Sequence, residues 1–197
     1  MKAAVIHEYS DNYNVIKYED VEDPQICSNE VLIKIHASGV NHCDTDLRRG
    51  LFGVESDMPH VMGVDAAGEI VKVGSNIKNF KKGDRVSPHF ILSCGLCFYC
   101  STGKENICPN AGVLGVTNWG GYAEYLKIKE NNLVKLPDEL SYENAVAGQV
   151  PFATAWEALI DVVNLRTGET VLITAAGGGV GSAAIQIAKM TGAKVIA

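Results

Sequence analysis

Cys94, Cys97, Cys100 and Cys108 fall within 15 residues, in the run CGLCFYCSTGKENIC. The spacing C-x2-C-x2-C-x7-C lets successive thiolates fold back on one cation, and the longer last gap lets the chain return a fourth ligand to close a tetrahedron. Gly95 and Gly103 supply the backbone freedom that a tight knuckle needs. Four thiolates leave no open coordination position. The expectation is therefore one structural zinc per chain, held by these four residues and doing no chemistry itself. An iron–sulfur reading stays open, because Pro109 follows Cys108 as in the bacterial run C-x2-C-x2-C-x3-C-P, although the last gap here is seven residues rather than three. Disulfides fit less well. The chain opens MKAAVIHEYS with no apolar signal-peptide core, and four of its six cysteines crowd into one knuckle, the pattern of metal binding in a cytoplasmic protein. Cys27 reads as an ordinary thiol.

The 197 residues are 47% hydrophobic and 20% charged, the composition of a soluble globular chain with room for one large domain or one and a half smaller ones. The net charge is −6 and the basic residues are scattered, with Lys81, Lys82 and Arg85 the densest group, so no nucleic-acid surface is expected. No apolar run approaches the ~20 residues of a membrane span, so no membrane partner is expected either.

Short strand patterns dominate the first part of the chain. KAAVI (2–6), EVLIKIHA (30–37), GEIVKVG (68–74), GDRVSP (83–88) and EYLKI (124–128) are separated by Gly, Pro, Asn and Asp, which predicts a β-rich lobe, part barrel and part sandwich. HCDTDLRRG (42–50) predicts a short helix stopped by glycine. After LPDELS the pattern turns helical over 141–161, with Pro151 as an interruption. Then TVLIT (170–174) predicts a buried strand, 177–181 a glycine turn, 182–190 a helix and 193–197 a second strand, which together make a βαβ unit.

A glycine-rich string gains meaning when it follows a strand and opens a helix. Small residues there let the backbone approach a pyrophosphate, and the helix N-terminus offers N–H donors. The register that fits is Ala176-x-Gly178-x-x-Gly181, with Gly179 and Val180 inside it. The expected division is a β-rich lobe with its cysteine knuckle over 1–150 and the start of a dinucleotide-binding domain over 151–197. The fold class is mixed β and α/β.

In this order GVNHCDTDLRRG, PHVMGVDAAGEIVKVG, GDRV, the cysteine knuckle, GGYAEY and AAGGGVGSAAIQIAK resemble the medium-chain dehydrogenase/reductase superfamily, which includes zinc alcohol dehydrogenases and quinone oxidoreductases. The resemblance implies a GroES-like catalytic domain, a Rossmann domain binding NAD or NADP, a small-molecule substrate and a homo-oligomer. The alanine-first fingerprint resembles that of the quinone reductases, which favours NADP. It also implies Thr154 beside the nicotinamide and His42 near the cofactor pyrophosphate, the latter against a plain surface histidine.

Zinc alcohol dehydrogenases carry a second, catalytic zinc. At its usual ligand positions this chain has Asn41, Val64 and Val150, and Asp65 stands where a glutamate is usual. Valine binds no metal and asparagine is a poor zinc ligand. The resemblance therefore implies a metal-independent reductase of a quinone or an α,β-unsaturated carbonyl or enoyl substrate, whose oxygen takes up charge and is stabilised by hydrogen-bond donors. Asn41 is the expected donor. Cys43 occupies a proton-relay position, with an inert thiol as the alternative, and Asp44 either orients the site or caps a helix. Two other readings stay open: an alcohol dehydrogenase with a rearranged metal site using Cys43 and Asp65, and a non-catalytic binding protein or fragment. About two of the roughly six strands of a dinucleotide-binding sheet are expected here, so the 197-residue chain alone is expected to be inactive.

Overall fold

The structure, a computed structural model, describes residues 1–197. Its contacts divide the chain into two units, Met1–Val146 and Ala147–Ala197.

The first unit is built on two antiparallel sheets. Strands β1 (Lys2–Ile6), β2 (Lys17–Asp20), β3 (Glu30–Ala37), β4 (His60–Val61), β5 (Ala67–Val73) and β6 (Arg85–Pro88) are followed by β7 (Ile91–Leu92), β8 (Gly112–Val113), β9 (Tyr125–Lys129) and β10 (Leu133–Lys135). The larger sheet runs β10-β6-β5-β3-β9 and the smaller β2-β1-β4, while β7 and β8 form a separate two-stranded ribbon that carries the cysteine segment between its strands. Alternation in β3 sends Val31 and Ile33 into a core with Ile70, Val86 and Ile128, all essentially inaccessible. Ala3, Val5 and Val61 do the same for the smaller sheet. The strands expected from the sequence form within a residue or two of their expected limits, because period-2 burial on one face is the dominant local signal.

Helix α1 (His42–Arg48) follows β3, and α2 (Phe98–Ser101) is a single turn inside the cysteine segment. Arg85 closes the approach to the next helix. Its guanidinium donates to Pro137 O and Asp138 O, both at 2.8 Å, and to Leu140 O, and it lies 4.6 Å from the Tyr142 ring centre. His36 stacks on the same ring at 4.6 Å. That arrangement ties the 137–140 turn and the first residue of the helix to β3 and β6.

Helix α3 (Tyr142–Trp156) runs through Pro151 without a break and continues as a π-helical segment over Glu157–Val162. The interruption expected at Pro151 is therefore absent: the proline sits inside a continuous helix. Proline removes one backbone donor, the one that would have met the carbonyl of residue 147, and the helix keeps the rest.

In the second unit, β11 (Thr170–Leu172), α4 (Gly179–Met190) and β12 (Lys194–Ile196) form the βαβ unit, with the strands parallel. Ala183, Ala184, Ile187 and Ala188 of α4 bury against Ala155, Leu159, Leu165 and Ile173. Two expectations change here. Helix α4 starts at Gly179 rather than 182, with Gly178 as its N-cap, because glycines at a helix start cost little once a packed face follows. The strand expected to be buried leaves Leu172 68% exposed, since β11 has only β12 as a neighbour. No helix is long and apolar enough to cross a membrane.

Candidate functional site

The four knuckle cysteines converge. Cys97 and Cys100 sulfurs are 3.5 Å apart, Cys97 and Cys108 3.8 Å, Cys94 and Cys100 3.9 Å, and all four lie within 4.8 Å of one another. A ZnS4 tetrahedron with ~2.3 Å bonds has edges of about 3.8 Å, so this donor set fits one zinc ion. A four-iron cluster places each cysteine sulfur on a different iron and spreads them farther apart, so it fits less well. None of the four is in a disulfide. The N–H groups of Leu96 and Cys97 point at Cys94 and bring its thiol down to about 6, which favours the ligating thiolate.

A second cluster sits at the start of α1, where β3, the 63–65 turn and the 120–122 segment meet. Asn41 is the N-cap residue in extended conformation. Its backbone N–H donates to Asp44 Oδ2 at 2.8 Å, and its side-chain Nδ2 donates to Asp65 Oδ2 at 2.6 Å. Asp44 and Asp65 are both buried, 4% and 1% exposed. Asp44 also accepts from Tyr122 Oη at 2.9 Å and from Val64 N at 3.3 Å. Burial pushes the Asp44 carboxyl above its usual range, against the pull of these donors.

Cys43 is half-buried beside them. Desolvation and then the fields of Asp44 and Asp65 raise its thiol to about 11. It therefore stays a neutral thiol near pH 7 and is no thiolate nucleophile. Tyr122 is likewise raised by burial and by Asp44, so its phenol remains a donor. Val64 is buried, and its backbone rather than its side chain serves the cluster. The structure thus brings Asn41, Cys43 and Asp44 together as the sequence groups them, and adds Tyr122 and Asp65 as direct partners. Tyr122 was legible only as part of GGYAEY. Its link to Asp44 crosses 78 residues, and no local pattern reports it. His42 is an exposed surface histidine, its ring 3.8 Å from Asp46. The convergent set of three or more metal-ligating side chains lies at the knuckle, and Cys43 with Asp65 does not form another.

In the second unit, Thr154 stands exposed on α3. In the glycine turn Ala176 is half-buried, Gly178, Gly179 and Val180 are exposed, and Gly181 is buried. A Cβ on Gly181 would fall on the Ala175 carbonyl and the Ala176 backbone, whereas one on Gly177 would meet nothing. Gly181 is thus required by the packing of α4 against the 175–176 turn, and Gly177 leaves open space above the turn. The first-turn N–H groups of α4 have no side-chain cap. An open backbone cradle at a helix N-terminus fits the pyrophosphate of a dinucleotide. Ala175 holds a left-handed φ of 52°, a conformation costing an L-residue ~1–2 kcal/mol, and its carbonyl oxygen is the atom that Gly181 must clear.

Residues 27–138 match the alcohol dehydrogenase GroES-like domain family. The chain is 37% identical over 198 aligned residues to an alcohol dehydrogenase of Geobacillus stearothermophilus, covering 100% of this chain and 57% of the relative. It is 36% identical over 197 residues to an acryloyl-coenzyme A reductase of Metallosphaera sedula, covering 100% and 58%. A crystal structure of an NAD-dependent alcohol dehydrogenase superposes with a TM-score of 0.94 at 39% identity, covering 99% of this chain and 57% of that one. The chain thus spans a little over half the length of these relatives. With the GroES-like sheets and the first βαβ of a Rossmann domain in family order, the chain belongs to the medium-chain dehydrogenase/reductase superfamily.

Proposed function

We propose that the protein is an NAD(P)-dependent oxidoreductase that reduces a quinone or an α,β-unsaturated carbonyl or enoyl substrate without a catalytic metal, and that it carries one structural zinc. The observation that carries this reading is Asn41, at a position where zinc alcohol dehydrogenases use a ligand, with its amide hydrogen-bonded to a buried carboxylate at 2.6 Å. A carboxamide in that state offers a directed N–H donor and no metal-binding anion. The similarity to an acryloyl-coenzyme A reductase supports reduction of a conjugated alkene.

When bound, the nicotinamide cofactor supplies a hydride to the electrophilic carbon. Asn41 donates its remaining Nδ2–H to the substrate oxygen on which negative charge accumulates. Cys43, protonated at neutral pH, is a proton reservoir beside it. The backbone of Gly178–Gly181 would hold the pyrophosphate, Thr154 would line the nicotinamide pocket, and the four knuckle cysteines would hold a zinc ion that takes no part in the chemistry.

Alcohol dehydrogenation through a rearranged metal site is the second reading, favoured by the similarity to alcohol dehydrogenases. Zinc counting and substrate screening on metal-clean, full-length protein separate the two. One zinc per chain, lost in Cys97→Ser, with NAD(P)H oxidation by enones or quinones, supports the metal-independent reductase. A second zinc that survives Cys97→Ser, with alcohol oxidation, would overturn it.

A further inference from the structure

We infer that Asp65 is the positioning residue that sets the orientation of the Asn41 carboxamide, a role that rests on the reading of Asn41 as the donor to the substrate oxygen. Asp65 is 1% exposed and its Oδ2 accepts from Asn41 Nδ2 at 2.6 Å, across 24 residues of sequence. The carboxylate fits because residue 39 is glycine: a Cβ there would stand 2.7 Å from Asp65 Oδ2. The Asp65 backbone is held in turn, since the Ser38 hydroxyl donates to its carbonyl at 2.6 Å.

The main chain of Asn41 is fixed separately, by Asp44 at 2.8 Å. Two carboxylates therefore divide the work, Asp44 placing the backbone and Asp65 the amide. The amide needs this second restraint because rotation about its last torsion is soft and roughly two-fold. A half-turn exchanges N–H for C=O and would present a lone pair to an oxygen gaining negative charge. The Asp65 oxygen that meets the amide accepts from Nδ2, so the contact seats the NH2 face and leaves the carbonyl face without a donor there. The orientation it enforces leaves one Nδ2–H engaged and one free.

The test combines Asp65→Asn, Asp65→Leu and Asn41→Ala in the full-length protein, with turnover of an enone and the side-chain amide resonances of Asn41 as independent readouts. Asp65→Asn keeps an acceptor oxygen but adds an NH2 group that can pair with the flipped amide, so turnover falls by about 10-fold, less than in Asp65→Leu, and the two Asn41 Nδ2 protons stay split, though less widely. Asp65→Leu collapses that splitting and lowers kcat by about 100-fold with KM for the cofactor unchanged. Equal damage from Asp65→Asn and Asp65→Leu, with loss of one limb of the pH profile, would make Asp65 a proton-transfer group and overturn the inference. So would an unchanged Asn41 amide signal in Asp65→Leu. If Asp65→Leu fails to fold, the Asp65→Asn spectrum decides: a collapsed Asn41 splitting there overturns the clamp, and a retained one supports it. Full activity in Asn41→Ala, with the amide signals of the Asp65 variants behaving as expected, sinks the donor reading while leaving the clamp intact.

Discussion

Tyr122 donates its phenol to Asp44 Oδ2 at 2.9 Å, so that a residue on the 120–122 segment holds the carboxylate that in turn holds the backbone of Asn41. The same hydroxyl lies 3.2 Å from Gly39 O, which ties the segment to the end of β3 as well.

Replacing Tyr122 by phenylalanine removes a hydrogen bond to a buried carboxylate and leaves the ring in place. The expected loss is about 1.5–3 kcal/mol, read as a lower denaturant midpoint with an unchanged slope. A midpoint equal to that of wild type would mean that water replaces the phenol at no cost.

Cys43 predicts an alkaline limb in stability. Its thiol is at about 11 in the folded chain against 9.0 for the unperturbed group. Between those values the unfolded chain has released a proton that the folded chain retains, so stability falls as pH rises from about 9 to 11. Cys43→Ala should flatten that part of the curve. Parallel wild-type and variant curves over the same interval would remove Cys43 as the cause.

The knuckle predicts local rather than global dependence on metal. Residues 94–108 leave the β7–β8 ribbon and carry exposed Lys104, whereas the β3–β5 core is assembled from other residues. Chelation is expected to open the segment to trypsin at Lys104 while the remainder of the first unit stays resistant, and zinc should restore protection. Cleavage at Lys104 that is indifferent to metal would count against zinc in the knuckle.

The glycine turn predicts a contrast between two alanine substitutions. Gly181→Ala drives a methyl group into the Ala175 carbonyl and is expected to destabilise the second unit by ~1–3 kcal/mol, visible in thermal melting. Gly177→Ala meets no protein atom, so it should leave melting unchanged and weaken dinucleotide binding. Equal cofactor affinity in Gly177→Ala and wild type would place the pyrophosphate elsewhere.

Much of this was legible in the residues themselves. The convergence of the knuckle was readable because its four cysteines lie close in sequence, so spacing alone limits the geometry. The strands were readable because one-sided burial imposes period 2, and the βαβ unit because its glycines follow a strand and open a helix. The expected break at Pro151 did not form, since a long helix can absorb the one donor that a proline removes.

Sequence by itself therefore determined the family and the grouping of the four knuckle cysteines, which are matters of residue type, order and spacing. Tertiary structure decided what Asn41 touches. The contacts from Asn41 to Asp65 and from Tyr122 to Asp44 join segments 24 and 78 residues apart, and the thiol of Cys43 rises because folding withdraws water and brings two carboxylates near it. Desolvation and long-range hydrogen bonds exist only in the packed chain, so no local pattern can report them.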